Sequence, residues 1–174
     1  RLRSTAPKVL HPICGRPALW WVLQSVRAAR PSKIAVVVHH GADEVRDAVR
    51  SWRITPEPVF VEQGDALGTG HAVLAAEKAV GRAREVLIAN GDFDPVAPED
   101  VRRLVRVHRG TRAAATMITT EVERPGTLSR IVREGDRLVS IVEGTDAPIS
   151  MRAIREVGTN WIAFRRDDLF RALP

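Results

Sequence analysis

The chain has 174 residues, enough for one compact domain and short for two of ordinary size. It is 44% hydrophobic and 28% charged, and no run approaches the roughly 18 apolar residues of a membrane span, so a disordered chain and a transmembrane helix are both excluded. Arg1 opens a polar stretch with no apolar segment behind it, so no signal peptide is expected, and the absence of an initiator methionine sets the expectation of a piece of a longer domain.

Lys and Arg number 27 against 21 Asp and Glu, a net charge of +6 that favours anionic partners. Only Lys8, Lys33 and Lys78 are lysines, and the arginines alternate with acids, as in Asp43-Glu44-Val45-Arg46-Asp47. That alternation describes solvated helix faces rather than a phosphate-tracking stripe, so neither a nucleic-acid nor a membrane partner is expected. The single Cys14 excludes an internal disulfide framework, fits a reducing cytoplasm, and reads as a buried inert thiol.

In chain order, residues 17–30 read as a helix with Pro17 in its first turn and an apolar stripe through Leu19, Val22, Leu23 and Val26. Trp20 and Trp21 are adjacent and do not share a helix face, so one is expected in the core and the other under a loop or against a partner. Residues 34–39 form a buried strand, 42–52 a helix, 58–61 a strand, and 70–80 a helix entered through a glycine-rich turn. Residues 85–89 give a further apolar strand ending in Asn90-Gly91-Asp92, then 98–108 a helix and 114–119 a strand. A β-hairpin follows, 129–133 and 137–143 about Gly135, with a strand at 157–164 and a helix at 166–173 closing the pattern. The class this implies is α/β: a doubly wound, mainly parallel sheet with a β-hairpin insertion, in one domain over residues 1–174. Such sheets bind ligands beyond the carboxyl ends of their strands, which directs attention to 63–69 and 90–94.

The loop from Glu62 to Ala72 leaves a strand and enters a helix, so its amides can approach a phosphate, ribose or base; Gly68-Thr69-Gly70 is equally a plain helix entry. Asp92, at a strand end, offers a hard oxygen ligand to a divalent cation that bridges it to a phosphorylated substrate. By chemistry alone it also reads as a turn or helix cap, and Asp94 is its nearby rival. Arg1 and Lys8 flank a polar loop and can neutralise a polyphosphate, although isolated basic residues usually serve as surface charge. His11, His39, His40, His71 and His108 make no metal-ligand pair at helical spacing, and no Gly-x-Ser-x-Gly elbow is present.

Taken together, Arg1 to His11, Gly15-Arg16-Pro17, Gln63 with Leu67-Gly68-Thr69-Gly70-His71-Ala72, Asn90-Gly91-Asp92, Ile141-Val142-Glu143 and Ile154-Arg155-Glu156-Val157 resemble a known family in order and spacing. The family is that of the uridyltransferase domains of bifunctional N-acetylglucosamine-1-phosphate uridyltransferases, or a divergent sugar nucleotidyltransferase relative, and the likeness covers almost the whole chain. It implies a Rossmann-like nucleotidyltransferase fold and transfer of UMP from UTP to N-acetylglucosamine 1-phosphate, with release of pyrophosphate. The product would be UDP-N-acetylglucosamine for cell-envelope synthesis in the cytoplasm. Carried over by residue, Arg1 and Lys8 correspond to catalytic positions on the triphosphate, and Gln63, Gly68, Thr69 and Asn90 to nucleotide contacts. Asp92 corresponds to the ligand of a catalytic Mg²⁺, and Ser129, Glu143, Gly158 and Thr159 to the sugar site. Homo-oligomer formation is compatible with the resemblance.

The chain departs from the family pattern at several points. The Leu-x-x-Gly-x-Gly-Thr strand and loop expected before Arg1 is absent, as are a second metal ligand and the closing segment. Thr127-Leu128-Ser129-Arg130 stands for Gly-Tyr-Gly-Arg, Gly158-Thr159-Asn160 for Asn-Thr-Gly, and Gly91-Asp92-Phe93-Asp94-Pro95 carries one residue more than Gly-Asp-x-Pro. These changes keep a second reading open, a nucleotidyltransferase for another sugar or alcohol phosphate or a non-catalytic nucleotide-binding module.

Overall fold

The computed structural model describes residue 4 and residues 6–65, 67–92 and 96–173. Arg1 and Asp94, singled out above, lie outside the described residues. A 3-10 turn at Lys8–Leu10 precedes a two-stranded antiparallel ribbon, β1 (Pro12–Ile13) and β2 (Arg16–Pro17), which runs into helix α1 (Ala18–Arg27). Next come β3 (Ala35–Val38), α2 (Ala42–Ser51) and β4 (Val59–Glu62), with β3 and β4 parallel. Helices α3 (Thr69–Ala75) and α4 (Glu77–Val80) lead to β5 (Glu85–Ile88), and α5 (Pro98–Thr111) to β6 (Ala115–Glu121). The hairpin β7 (Arg130–Glu134) and β8 (Arg137–Val142), a 3-10 turn at Ile149–Met151, β9 (Glu156–Arg165) and α6 (Arg166–Ala172) complete the order.

Helix α1 separates two apolar clusters, because its stripe is wide enough to be buried on two sides. Leu19 and Leu23 join Ile34, Val36 and Val38 around β3 and Val45, Val49 and Ile54 around α2. Val22 instead packs with Val101 and Leu104 of α5 and with Trp161 and Ala163 of β9. Helix α5 starts with Pro98 at its first position and Glu99 and Asp100 in its first turn, each favourable at a helix N-terminus. Val101, Leu104 and His108 supply its buried face at i, i+3 and i+7, and the His108 ring is satisfied by Thr116 Oγ1 of β6 at 2.9 Å.

Strand β9 organises the larger sheet. Along one edge it pairs antiparallel with β6; along the other it pairs first with β7, Arg130 opposite Val157, and then with β5, from Ile88 opposite Ile162 to Glu85 opposite Arg165. On that second edge the run from 157 to 162 spans roughly 17 Å at strand rise, and β7 lies at one end of it and β5 at the other. In the same stretch the β6–β9 register slips: Met117 faces Ile162, but Thr119 already faces Gly158. The extra residues form a bulge in which Asn160 takes a left-handed φ of 58°, and Thr159 Oγ1 donates to the Ile118 carbonyl at 2.8 Å across the slip. Asparagine is among the few side chains that accept that backbone readily.

The α/β class is as expected, but the balance of pairing differs. Among the described residues β3–β4 is the parallel pair, whereas the five-stranded sheet is antiparallel because β9 enters between its neighbours against their direction. The helix expected at 70–80 is two short helices meeting at Ala76, and nothing in the local sequence marks the break. Cys14 is exposed at the tip of the β1–β2 ribbon with φ 49°, not buried, because the two-residue turn projects it outward. Neither adjacent tryptophan is fully buried: their rings meet edge to face at 4.8 Å, Trp21 donates to the Ile13 carbonyl at 2.8 Å, and the Arg16 guanidinium lies over Trp20. No described helix is long and apolar enough to cross a membrane.

Candidate active site

The 3-10 turn brings two strand ends together. Pro7, just before it, packs on Gly41 beyond the end of β3, and Val9 within it reaches Gly91 beyond the end of β5. A Cβ on Gly91 would sit 3.2 Å from Leu19 Cδ1 and 3.6 Å from Val9 Cγ1, so the absence of a side chain lets the 90–92 segment close onto α1 and the turn. That approach puts Asp92 within reach of Lys8: Nζ donates to Oδ2 at 2.6 Å, joining residues 84 apart in sequence. Both side chains stay solvated, at 66% and 40% exposure, so the pair is available for exchange with a charged ligand rather than locked into a core.

Beyond β4 the chain forms the second element of the site. The Gln63 backbone donates to Val38, extending the β3–β4 ladder, while its side-chain Nε2 donates to the Gly68 carbonyl at 3.0 Å. The amide thus closes the loop onto the start of α3, where Thr69 is the first, exposed, helical residue. Asn90 is half-buried at the end of β5.

The third element is built by the hairpin. Ser129 Oγ donates to Glu143 Oε2 at 3.1 Å, and the Gly158 N–H donates to the Ser129 carbonyl at 3.2 Å, so Ser129, Glu143 and Gly158 form one cluster at the β7 end of the β9 edge. Gly158 is buried with Met117 Cε 2.9 Å from where a Cβ would stand, so any side chain there would displace Met117. Thr159 departs from its expected place in the sugar site: its hydroxyl is directed into the sheet at Ile118 and holds the bulge.

The structure therefore joins Lys8 to Asp92, Gln63 to Gly68, and Ser129 to Glu143 and Gly158, and β9 relates the first and third of these along one edge. As a cation site, Asp92 contributes one partly exposed carboxylate, and no group of three or more His, Cys, Asp or Glu side chains converges among the described residues. That donor set suits Mg²⁺, which commonly takes one or two protein carboxylates and completes its shell with water and substrate phosphates. The sequence assigns no role to Gly144 or to Arg130, the last residue of the Thr127-Leu128-Ser129-Arg130 segment, yet both contact the turn that carries Ser129; the signal for Arg130 is a charged residue opening the apolar run Ile131-Val132.

Ionisable contacts away from this face are structural. Arg133 holds Glu156 through two 2.7 Å hydrogen bonds, which keeps the Glu156 carboxyl below its ordinary value and raises the Arg133 guanidinium. Arg46, bonded to Glu62 at 2.6 Å and Asp43 at 2.8 Å, is raised for the same reason and ties α2 to the end of β4.

An α/β sheet with a lysine–carboxylate pair and a closed loop at the carboxyl ends of its strands has the layout of nucleotide-binding transferases. The chain belongs to the MobA-like NTP transferase domain family, whose signature matches residues 1–168. It is 35% identical to the bifunctional protein GlmU of Thermotoga maritima over 174 residues, 100% of this chain and 37% of that protein. It is 37% identical to the GlmU of Syntrophotalea carbinolica over 175 residues, 99% of this chain and 37% of that protein. The chain thus spans a little over a third of the length of these curated relatives. Solved structures share the fold at low identity. A UDP-glucose pyrophosphorylase in complex with UDP-glucose gives a TM-score of 0.78 at 17% identity, covering 96% of this chain and 70% of that one. HddC from Yersinia pseudotuberculosis gives 0.74 at 19%, covering 98% and 73%.

Proposed function

We propose that this chain is the nucleotidyltransferase part of an enzyme that transfers UMP from UTP to N-acetylglucosamine 1-phosphate, releasing pyrophosphate and making UDP-N-acetylglucosamine for the cell envelope. The observation that carries the proposal is the solvated Lys8–Asp92 pair at the strand ends. In this reaction a phosphate oxygen of the sugar 1-phosphate attacks the α-phosphorus of UTP, and the bond between that phosphorus and the bridging oxygen of the β-phosphate breaks as pyrophosphate leaves. Little covalent help is needed; alignment and charge neutralisation supply the acceleration.

Lys8, with three donors on a flexible stem, neutralises phosphate oxygens. Mg²⁺, held through Asp92, would supply further charge neutralisation on the phosphates. The 63–69 loop, closed by Gln63, gives the nucleotide a backbone surface next to β4, and Arg1 is a candidate for a further triphosphate contact. Glu143 accepts hydrogen bonds from the acceptor sugar, with Ser129 beside it. A reaction that consumes UTP fits the cytoplasm, and on this reading the protein works there.

A specific observation favours a second acceptor class. The Ser129 hydroxyl occupies one oxygen of Glu143, and position 158 offers no side chain to a sugar, so this cluster presents fewer free polar groups than its acidic residue suggests. Another sugar or alcohol phosphate is the alternative acceptor. The test is pyrophosphate release by the full-length protein with UTP, dTTP, CTP and GTP, each against a panel of sugar 1-phosphates, with Mg²⁺ or with chelator. UTP with N-acetylglucosamine 1-phosphate should turn over best, Mg²⁺ should be required, and Asp92→Ala should abolish the reaction. Turnover of no pair, or an unaffected Asp92→Ala variant, would sink the proposal.

A further inference from the structure

Arg130 opens β7 at 3% exposure. Its guanidinium donates through Nη1 to the Leu128 carbonyl and through Nη2 to the Gly126 carbonyl at 2.8 Å, and its Nε is buried without a partner. No carboxylate lies within ion-pair distance of it among the described residues. A buried cation without a counter-charge is unfavourable unless fixed dipoles replace its lost hydration. Here the two carbonyls do so, and both belong to the turn that ends in Ser129, itself closed by the Leu128 N–H on the Pro125 carbonyl at 3.0 Å.

Gly144 supplies a second contact to the same turn. A Cβ there would fall 2.5 Å from the Leu128 oxygen and the Thr127 carbonyl carbon and 2.6 Å from the Thr127 oxygen. The obstructing atoms are backbone and do not yield as a side chain would. The turn is therefore held by a guanidinium bonded to two of its carbonyls and by a strap, the residue after Glu143, that touches it through a bare glycine. What it carries is Ser129, whose hydroxyl meets Glu143 and whose carbonyl takes the Gly158 N–H.

We propose that Arg130 is a positioning residue for the acceptor subsite, fixing the 126–129 turn so that Ser129 and Glu143 face the sugar phosphate at a constant spacing, and that Gly144 is its steric counterpart. This rests on the reading of Ser129 and Glu143 as acceptor-binding groups. Arg130 acts through the turn and not on substrate directly: both its Nη atoms are turned to the turn's carbonyls and its side chain is buried. Removing the guanidinium therefore weakens the acceptor and leaves the nucleotide side, formed by the loop after β4 and the Lys8–Asp92 pair, unaltered.

The test compares Arg130→Lys, Arg130→Met and Gly144→Ala with the wild type in the full-length protein. KM for the sugar 1-phosphate, KM for UTP and kcat are measured, with amide exchange at Gly158 and Leu128 as a readout independent of turnover. The expected result is a rise in the acceptor KM of about tenfold or more in Arg130→Met and Gly144→Ala, a misplacement of the kind that costs up to about a hundredfold in other sites. KM for UTP should stay within about twofold, Arg130→Lys should fall between wild type and Arg130→Met, and exchange at Gly158 and Leu128 should accelerate. Unchanged acceptor KM in all three variants, parallel rises in both KM values, or unchanged exchange would overturn the assignment. A wild type that turns over no substrate pair refutes the proposed function instead, and Arg130 is then judged by exchange alone: acceleration supports the clamp and protection as in wild type refutes it. Should Arg130→Met fail to fold, the lysine and Gly144→Ala variants decide.

Discussion

Replacing Lys8 with methionine separates the two things its ion pair with Asp92 does. The pair is short, 2.6 Å, but both side chains are solvated, so its contribution to stability lies at about 0–1 kcal/mol. For a domain of this size that corresponds to a shift in melting temperature of at most about 4 °C. A charge-assisted hydrogen bond from the same ammonium to a phosphate oxygen is worth more, about 1.5–3 kcal/mol, which is roughly a 10- to 150-fold loss in kcat/KM on its removal. If Lys8 binds ground state and transition state alike, the loss appears in the KM for UTP; if it meets charge that develops during transfer, the loss appears in kcat. Steady-state pyrophosphate release and a thermal melt on the same preparation read both quantities. A melting temperature lowered by more than about 10 °C, or unchanged activity per folded molecule, would show that Lys8 is a structural tether and that the strand-end pair is not the catalytic feature.

Three further outcomes follow from the packing. Trp161 is fully buried between α1 and α5, so Trp161→Ala should cost about 3–5 kcal/mol in denaturant unfolding, and a cost below about 1 kcal/mol would contradict that packing. Asn160→Gly should be close to neutral while Asn160→Ala costs about 1 kcal/mol, because a left-handed φ of 58° penalises a Cβ without a compensating local hydrogen bond; equal losses for both would refute the backbone account. The Glu156 carboxyl is held below its ordinary value chiefly by the Arg133 hydrogen bonds. Its stabilisation is therefore complete above about pH 4.5 and fades as pH falls through the lower folded value, so Glu156→Gln should be less stable than wild type by about 1 kcal/mol at neutral pH and match it in strong acid. A gap that persists or widens in acid would reverse the sign of that coupling.

The regular elements were legible in the sequence because their burial is periodic. The stripe Leu19, Val22, Leu23 gives α1, and the β-branched run Val36, Val37, Val38 gives β3, and both fall within a few residues of their expected bounds. The pairing of strands was less legible. Nothing in residues 157–164 announces that this strand runs antiparallel to three neighbours, since direction depends on how the chain returns and not on side-chain pattern. At the site, Lys8 and Asp92 were chosen separately on charge and position, and their contact rests on Gly91 meeting Leu19 and Val9, a matter of space that composition does not encode. The resemblance assigns Thr159 to the sugar site, yet the register slip opposite it creates an acceptor at Ile118 that takes its hydroxyl. A one-dimensional pattern does not reveal such slips, because they arise from how many residues of one strand are set against its neighbour, here 158 to 162 of β9 against 117 to 119 of β6.

The architecture also accounts for the uneven departure of the site from the family pattern. The proposed nucleotide face depends on close packing: Pro7 against Gly41, Val9 against Gly91, and Gln63 against Gly68, with each contact fixed by a strand end. Val9 and Leu19, which meet at Gly91, also belong to the core cluster around β3 and α2, so substitutions at that contact are coupled to stability. The proposed acceptor face depends on a hairpin joined to the sheet at Arg130 opposite Val157 and on a bulge in β9, and neither Ser129 nor Glu143 belongs to either apolar cluster. On the proposed function, acceptor preference can therefore shift through an exposed residue such as Ser129 while Lys8, Asp92 and the 63–69 loop are retained. If that reading holds, pyrophosphate release measured across sugar phosphates at constant UTP reports on the Ser129–Glu143 face, while the same assay across nucleotides reports on the Lys8–Asp92 face.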